Sequence, residues 1–260
     1  MPKGRVEMRL EGKVAIVTGG AGGIGEATIQ GLTREGAKVV ISDINWDGAK
    51  RLEESLSRKG AKALAVKTDV GHYQQVKALT EKTLTTFGRI DILVNNAGIS
   101  PKYLGKKRTL WEMTVEEWER VIQVDLNGYF LCCHEMVPHM IPNGWGRIVN
   151  ISSAAARSGG QVAGSHYTAA KAGVIGLTKS LAGELGKYNI TVNAVTPGRI
   201  DTPIIRDVPP EVNAAFAQRT PLGRLGTAED VAGSILFLIS DAASFITGAT
   251  IDVNGGLIMY

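Results

Sequence analysis

Long apolar runs are missing from this sequence. None reaches the roughly 18 residues that a bilayer-spanning helix needs. The opening stretch, MPKGRVEMRLEGK, has no apolar core of the kind a secretory signal requires. No membrane partner is expected, and a soluble cytoplasmic protein is. Cysteine is nearly missing too: Cys132 and Cys133 stand side by side. Neighbouring cysteines form no ordinary unstrained disulfide, so no disulfide framework is expected, in keeping with a reducing compartment. There is no CxxC and no histidine pair at zinc-ligand spacing, so no metal is expected. Charge of one sign is also scarce, with 29 Lys and Arg against 25 Asp and Glu, a net +4. The densest basic run, PKYLGKKR at 101–108, is neither a basic stripe with aromatics nor a known motif, so nucleic acid is not an expected partner. It is read first as a solvated loop. The alternative is attraction of an anionic substrate or of a cofactor's phosphates.

What is present is a core-forming composition, 44% hydrophobic and 21% charged over 260 residues. Short β-branched runs recur: KVAIVT (13–18), AKVVIS (37–42), KALAVK (62–67), IDILVN (90–95), GRIVNIS (146–152), ITVNAVT (190–196) and GATIDVN (248–254). Nearly continuous apolar strands are what a sheet covered on both faces demands. Between them lie helical patterns at 46–59, 72–87, 115–140 and 227–240, the last opening with a capping-box-like TAED. Such alternation predicts an α/β fold with a doubly wound, mainly parallel sheet in one domain spanning 1–260. The irregular segment 197–226 follows a strand, where open α/β sheets place their ligand crevice. It reads as a substrate-covering loop with a short helix near 211–218.

Two stretches point to chemistry. In VAIVTGGAGGIGEA, a strand ends at Thr18, and Gly19, Gly23 and Gly25 precede a helical run. Glycines permit a tight turn and close backbone approach to a pyrophosphate, and the helix N-terminus offers free N–H groups. Asp43 ends the next strand, 18 residues beyond Gly25, at the spacing of an acid that binds the adenosine ribose. A carboxylate there repels a 2′-phosphate, and no lysine or arginine at 42–45 offsets it, which favours NAD over NADP. The other stretch is HYTAAKAG at 166–173. Spacing of four places Tyr167 and Lys171 on one helix face, one turn apart. That pattern alone also fits an ordinary helix surface.

Together these stretches resemble the short-chain dehydrogenase/reductase family. The glycine spacing in TGGAGGIG, NNAG at 95–98, NISS after the fifth strand, YTAAK at 167–171, PG at 197–198 with Thr202 behind it, and GATIDVNGG all stand in family order. The likeness runs from about residue 10 to 256 and points toward the 3-oxoacyl-carrier-protein reductase-like and secondary-alcohol dehydrogenase subgroup. It implies a Rossmann-type sheet of seven parallel strands in order 3-2-1-4-5-6-7 and a homotetramer. The helices near 115–140 and 168–186 would form one dimer interface, helped by Ala169, Ala170, Ala172, Gly173 and Gly176. The implied cofactor is NAD, held by Gly19, Gly23, Ile24, Gly25, Asp43, Asp69, Val70, Asn95, Ala97, Gly98, Tyr167, Lys171, Pro197, Gly198 and Thr202.

The implied reaction moves a hydride between a secondary alcohol and a ketone. A free tyrosine, with a pKa near 10, is a poor base at neutral pH. A lysine cation nearby favours the phenolate, which gives Tyr167 its acid/base role and Lys171 its purpose, along with holding the nicotinamide ribose. Ser153 is assigned to the substrate oxygen over its neighbour Ser152. His166 is expected to line the pocket or pack rather than to catalyse. Asp125, in VDLNGYF, stands where the family carries asparagine. It is counted with the catalytic set, its charge expected to change the pH response of the proton relay. The substrate stays open among polyols, sugars, hydroxyacyl groups and other secondary alcohols. Arg199, Arg206 and Arg219 either meet an anionic substrate or acyl carrier or, as first read, solvate mobile loops. The rival to an enzyme is a catalytically silent NAD-binding sensor or scaffold.

Overall fold

The chain is described by a computed structural model over residues 10–160, 162–205 and 208–259. Arg206 lies outside the described residues. The apolar runs become β1 (Val14–Thr18), β2 (Lys38–Asp43), β3 (Ala63–Lys67), β4 (Ile92–Asn95), β5 (Gly146–Ile151), β6 (Ile190–Pro197) and β7 (Thr250–Val253). They pair in parallel throughout, in order β3-β2-β1-β4-β5-β6-β7. The helices are α1 (Gly23–Arg34), α2 (Trp46–Arg58), α3 (Tyr73–Phe87), α4 (Val115–Ile122), α5 (Gly128–Met140), α6 (Ala155–Ser158), α7 (Ser165–Leu185), α8 (Pro210–Arg219) and α9 (Ala228–Ile239).

The continuous apolar strands follow from two cores, one on each face of the sheet. Ala15 and Val17 of β1 pack with Ile29 and Leu32 of α1 and with Ile235 and Leu238 of α9. Their neighbours Val14 and Ile16 turn the other way, toward Val76 and Leu79 of α3, Met136 of α5 and Leu185 of α7. Side chains alternate along a strand, so covering both faces favours apolar residues at successive positions. Cys132 and Cys133 belong to the second core as free, buried thiols. Burial pushes the Cys133 thiol up to about 12 and that of Cys132 higher still.

Chain order reverses between β1 and β4, and the crevice beyond their carboxyl ends is the ligand site of such sheets. The segment after β6 carries α8 with Pro210 in its first turn, and Thr227 and Asp230 form a reciprocal capping box on α9. One expectation is corrected. The helical pattern at 115–140 is not one α-helix, because a π-helical turn at Gln123–Asn127 separates α4 from α5. There the Gly128 N–H bonds back to the Gln123 carbonyl, five residues away. The extra residue in the turn alters the face presented, and Asp125 lies on it, fully buried. No helix of the described residues is long and apolar enough to cross a membrane, and none of their His, Cys, Asp and Glu cluster as a metal would require.

Candidate active site

The turn after β1 is closed by backbone contacts that only glycine permits. Gly19 has φ +61°, and a Cβ there would lie 2.9 Å from the Ala97 Cα. A Cβ on Gly25 would collide with the Gly19 carbonyl oxygen. Gly22, by contrast, faces open space and precedes α1 with no side-chain cap, so the first-turn N–H groups remain free for a ligand. The turn is braced from two sides. The Asn96 Nδ2 donates to the carbonyls of Thr18 and Gly19, each at 3.0 Å. Asp43 accepts from the Ala21 N–H through Oδ2 (2.9 Å) and from the Asn45 N–H through Oδ1 (2.8 Å). Each carboxylate oxygen can accept twice, so Asp43 keeps acceptor capacity toward the cavity it lines.

That cavity, about 440 Å³, runs from Asp43 past the turn to Lys171. Gly19, Gly23, Ile24, Asp43, Asp69, Val70, Ala97, Gly98, Tyr167, Lys171, Pro197, Gly198 and Thr202 all line it. An acid at one end, free amides beside it and a lysine at the other end fit a dinucleotide. Two positions need correction. Asn95 ends β4 with its side chain inside the fold, its Nδ2 donating to Asn150 Oδ1 (2.9 Å), and it does not reach the cavity. Its neighbour Asn96 does. Gly25 lies beneath the turn, where its role is close helix–turn packing. Asp69 is engaged by the Arg120 guanidinium (2.7 Å). Burial pushes its pKa upward, but Arg120 and the Gly71 amide outweigh this and hold it below the usual range.

Around Tyr167 and Lys171 the two serines separate by role. Ser152 is buried, and its hydroxyl donates to the Lys171 carbonyl at 2.6 Å, fixing α7 against β5. Ser153 faces the cavity, accepts from the Ala155 N–H (3.1 Å) and hydrogen-bonds Tyr167. Burial raises the Tyr167 pKa above its ordinary value, while Lys171 and the Ser153 bond pull it down and Asp125 pushes it up. His166 packs: its Nδ1 accepts the Tyr167 N–H (2.6 Å) and its Nε2 donates to Glu117 Oε1 (3.1 Å).

Lys171 Nζ donates to the Ile151 carbonyl and to the Tyr129 hydroxyl, both at 3.0 Å, and lies 3.3 Å from Asp125 Oδ2. Asp125 Oδ1 accepts the Ile99 N–H at 2.8 Å. Gly98 makes room for this pair, because a Cβ there would come within 2.8 Å of Asp125 Oδ2. Asp125, counted above with the catalytic set, does not line the cavity, and it neighbours that space through Lys171. Tyr129, buried and donating onward to the Ile151 carbonyl at 3.0 Å, escaped the sequence reading. Within GYFLCC nothing distinguishes it from a core aromatic.

A second cavity of about 310 Å³ adjoins the first, sharing Ser153, Tyr167, Pro197 and Gly198 with it. Lys102 and Arg199, both half-buried, and the exposed Arg219 line this second space. Residues 19–258 match the family model described as "Enoyl-(Acyl carrier protein) reductase". The chain belongs to the short-chain dehydrogenase/reductase family. Among relatives in that family, it is 46% identical to cis-4-hydroxycyclohexanecarboxylate dehydrogenase of Sinomonas cyclohexanicum, over 94% of this chain and 96% of that protein. It is 43% identical to a 3-oxoacyl-[acyl-carrier-protein] reductase of Thermotoga maritima, over 97% of this chain and 100% of that one. A solved 3-oxoacyl-[acyl-carrier protein] reductase from Brucella melitensis, described with bound NAD, superposes with a TM-score of 0.91 at 40% identity, covering 100% of this chain and 99% of that one.

This short-chain dehydrogenase/reductase is therefore an oxidoreductase acting on CH–OH and keto groups. Its two cavities meet at Tyr167 and Ser153, which line both.

Proposed function

We propose that this chain is an NAD-dependent dehydrogenase that interconverts a secondary alcohol and its ketone. The observation that carries the reading is the shared wall: Tyr167 and Ser153 border both cavities, and Lys171 stands behind the tyrosine. A dinucleotide in the first cavity and a carbinol in the second would meet at that wall. When bound, NAD supplies the hydride acceptor for oxidation and, reduced, the donor for reduction. Tyr167 takes the hydroxyl proton during oxidation and returns it during reduction. The Ser153 hydroxyl orients the substrate oxygen and stabilises charge developing on it. Lys171 favours the phenolate through its charge.

Asp43 supports NAD over NADP, since its carboxylate lines the cavity where a 2′-phosphate would stand. Arg120 lines the same cavity but is held by Asp69. The intact Ser153, Tyr167 and Lys171 arrangement speaks against a silent sensor. Initial rates with a panel of secondary alcohols and ketones, run with NAD and NADP in parallel at the absorbance of the reduced nicotinamide, test both points. Turnover preferring NADP overturns the cofactor assignment, and binding without any turnover favours the sensor.

The working unit we propose is a homotetramer. Phe130 of α5 is 51% exposed, and Ala169, Ala172 and Gly176 give α7 a low, exposed face. A monomeric mass by light scattering would remove that part of the reading.

A further inference from the structure

The second cavity has a charge of one sign. Its apolar lining comes from side chains such as Val162, Ala163, Ile205 and Leu257, while its charged lining is Lys102, Arg199 and Arg219, with no Asp or Glu among the described residues. The other half-buried arginines among the described residues are each matched by a carboxylate: Arg89 by Asp91, Arg108 by Glu117 and Arg157 by Asp252.

Lys102 and Arg199 break that pattern. Both are half-buried, and neither meets a carboxylate among the described residues. The Lys102 Nζ has the Ser100 hydroxyl at 2.9 Å. Arg199 spends two donors on one neutral oxygen, Asn213 Oδ1, through Nε (3.0 Å) and an Nη (2.7 Å), and its guanidinium lies 5.3 Å from the centre of the Phe216 ring. The amide and the ring hold the guanidinium in place without neutralising it. Taking cations partly out of water without a counter-ion is unfavourable, and placing two together adds repulsion. Burial, then Arg199, then Lys107 depress the Lys102 pKa to about 8. An anion seated between the two cations removes both costs and finds charge-assisted donors already oriented.

Resting on the oxidoreductase reading above, we propose that the substrate is a small secondary alcohol or ketone that also carries a carboxylate, which Lys102 and Arg199 bind. The carbon skeleton lies along the apolar lining, and its carbinol reaches Ser153 and Tyr167 in the same cavity. The basic segment 101–108 thus contributes to specificity through Lys102.

Calorimetric titration of the full chain with NAD present tests this directly. The probes are cyclohexanecarboxylate and hexanoate, each against its own carboxamide. At pH 7 at least one acid is expected to bind ten times or more tighter than its amide, and Lys102→Gln and Arg199→Gln should each collapse that ratio toward one. Thermal melting of each variant checks that the fold persists. Equal affinity for acid and amide in the wild type, or a ratio that survives both substitutions, overturns the proposal. A second measurement separates it from the dehydrogenase reading: initial rates on 4-hydroxycyclohexanecarboxylate and 4-hydroxycyclohexanecarboxamide. A cation-dependent preference in binding without turnover of any alcohol supports the anion site and counts against the dehydrogenase. Turnover of the amide with kcat/KM equal to that of the acid supports the dehydrogenase and counts against the anion site.

Discussion

The two cavities flank one tyrosine but are built differently. The first rests on strand ends and on a glycine turn whose backbone atoms nearly touch; the second is walled by segments that follow β4, β5 and β6 and by the C-terminal residues Leu257 and Ile258. In the first, binding groups are mostly backbone amides, so the geometry depends on which residues are absent. In the second they are side chains, so chemistry is set by which residues are present. A fold can keep the first and vary the second, which is how one scaffold serves many alcohols.

The shared wall gives the largest expected effect. Tyr167→Phe leaves both cavities in shape and removes the proton carrier. Turnover should fall by roughly 10²–10⁴-fold, the usual worth of general acid–base catalysis, with NAD affinity by calorimetry little changed. Near-normal turnover would remove Tyr167 from the mechanism.

The contrast between the walls comes next. Gly25→Ala places a methyl group against the Gly19 carbonyl in a packed turn. A stability loss of about 1–3 kcal/mol is expected, as for other overpacked sites, with NAD binding weakened as the turn shifts. Phe216→Ala, at a half-buried position on the second wall, should cost less than about 1 kcal/mol and act mainly on the substrate KM. Denaturant melts and steady-state kinetics on the two variants compare them. Equal stability losses would erase the distinction between a rigid wall and a variable one.

Asp43 carries the proposed preference of the first cavity for NAD over NADP. Asp43→Ala removes the ribose acceptor and the brace on the Ala21 amide. Hydrogen bonds to a charged group are worth about 1.5–3 kcal/mol, so the KM for NAD should rise roughly ten- to a hundredfold while that for NADP changes far less. Kinetics with both cofactors measure this, and an unchanged NAD to NADP ratio would detach Asp43 from cofactor choice.

The sequence is legible where periodicity or sterics act locally. Seven apolar runs mark seven strands, the central ones covered on both faces, and Gly19 and Gly25 mark the turn because a Cβ at either would strike backbone. The spacing of Tyr167 and Lys171 puts them one helical turn apart, and the motifs around them, not the spacing alone, single the pair out. Legibility fails where neighbours of the same type face opposite ways. In Asn95 and Asn96, only the end of β4 decides which amide enters the fold and which meets the cavity. It fails again at Gln123–Asn127, because a π-turn leaves the helical pattern intact while altering the face that Asp125 presents. Lys102 and Arg199 were visible as charges, but the space between them is made by tertiary packing that no local pattern records.

Asp125 gives the smallest effect and the finest test of how the shared wall is tuned. Asn in its place keeps an oxygen for the Ile99 amide and a similar shape, so the fold and activity should persist. What disappears is a negative charge beside Lys171 that also pushes the Tyr167 pKa upward. Without that push the phenol ionises at lower pH. Alcohol oxidation needs the phenolate, so the rising limb of its kcat/KM profile should move toward acid. Ketone reduction needs the protonated phenol, so its falling limb should move the same way. A purely structural role for Asp125 would lower the melting temperature and leave both limbs in place. Movement toward alkali would mean that loss of the carboxylate disturbs Lys171 more than it relieves Tyr167.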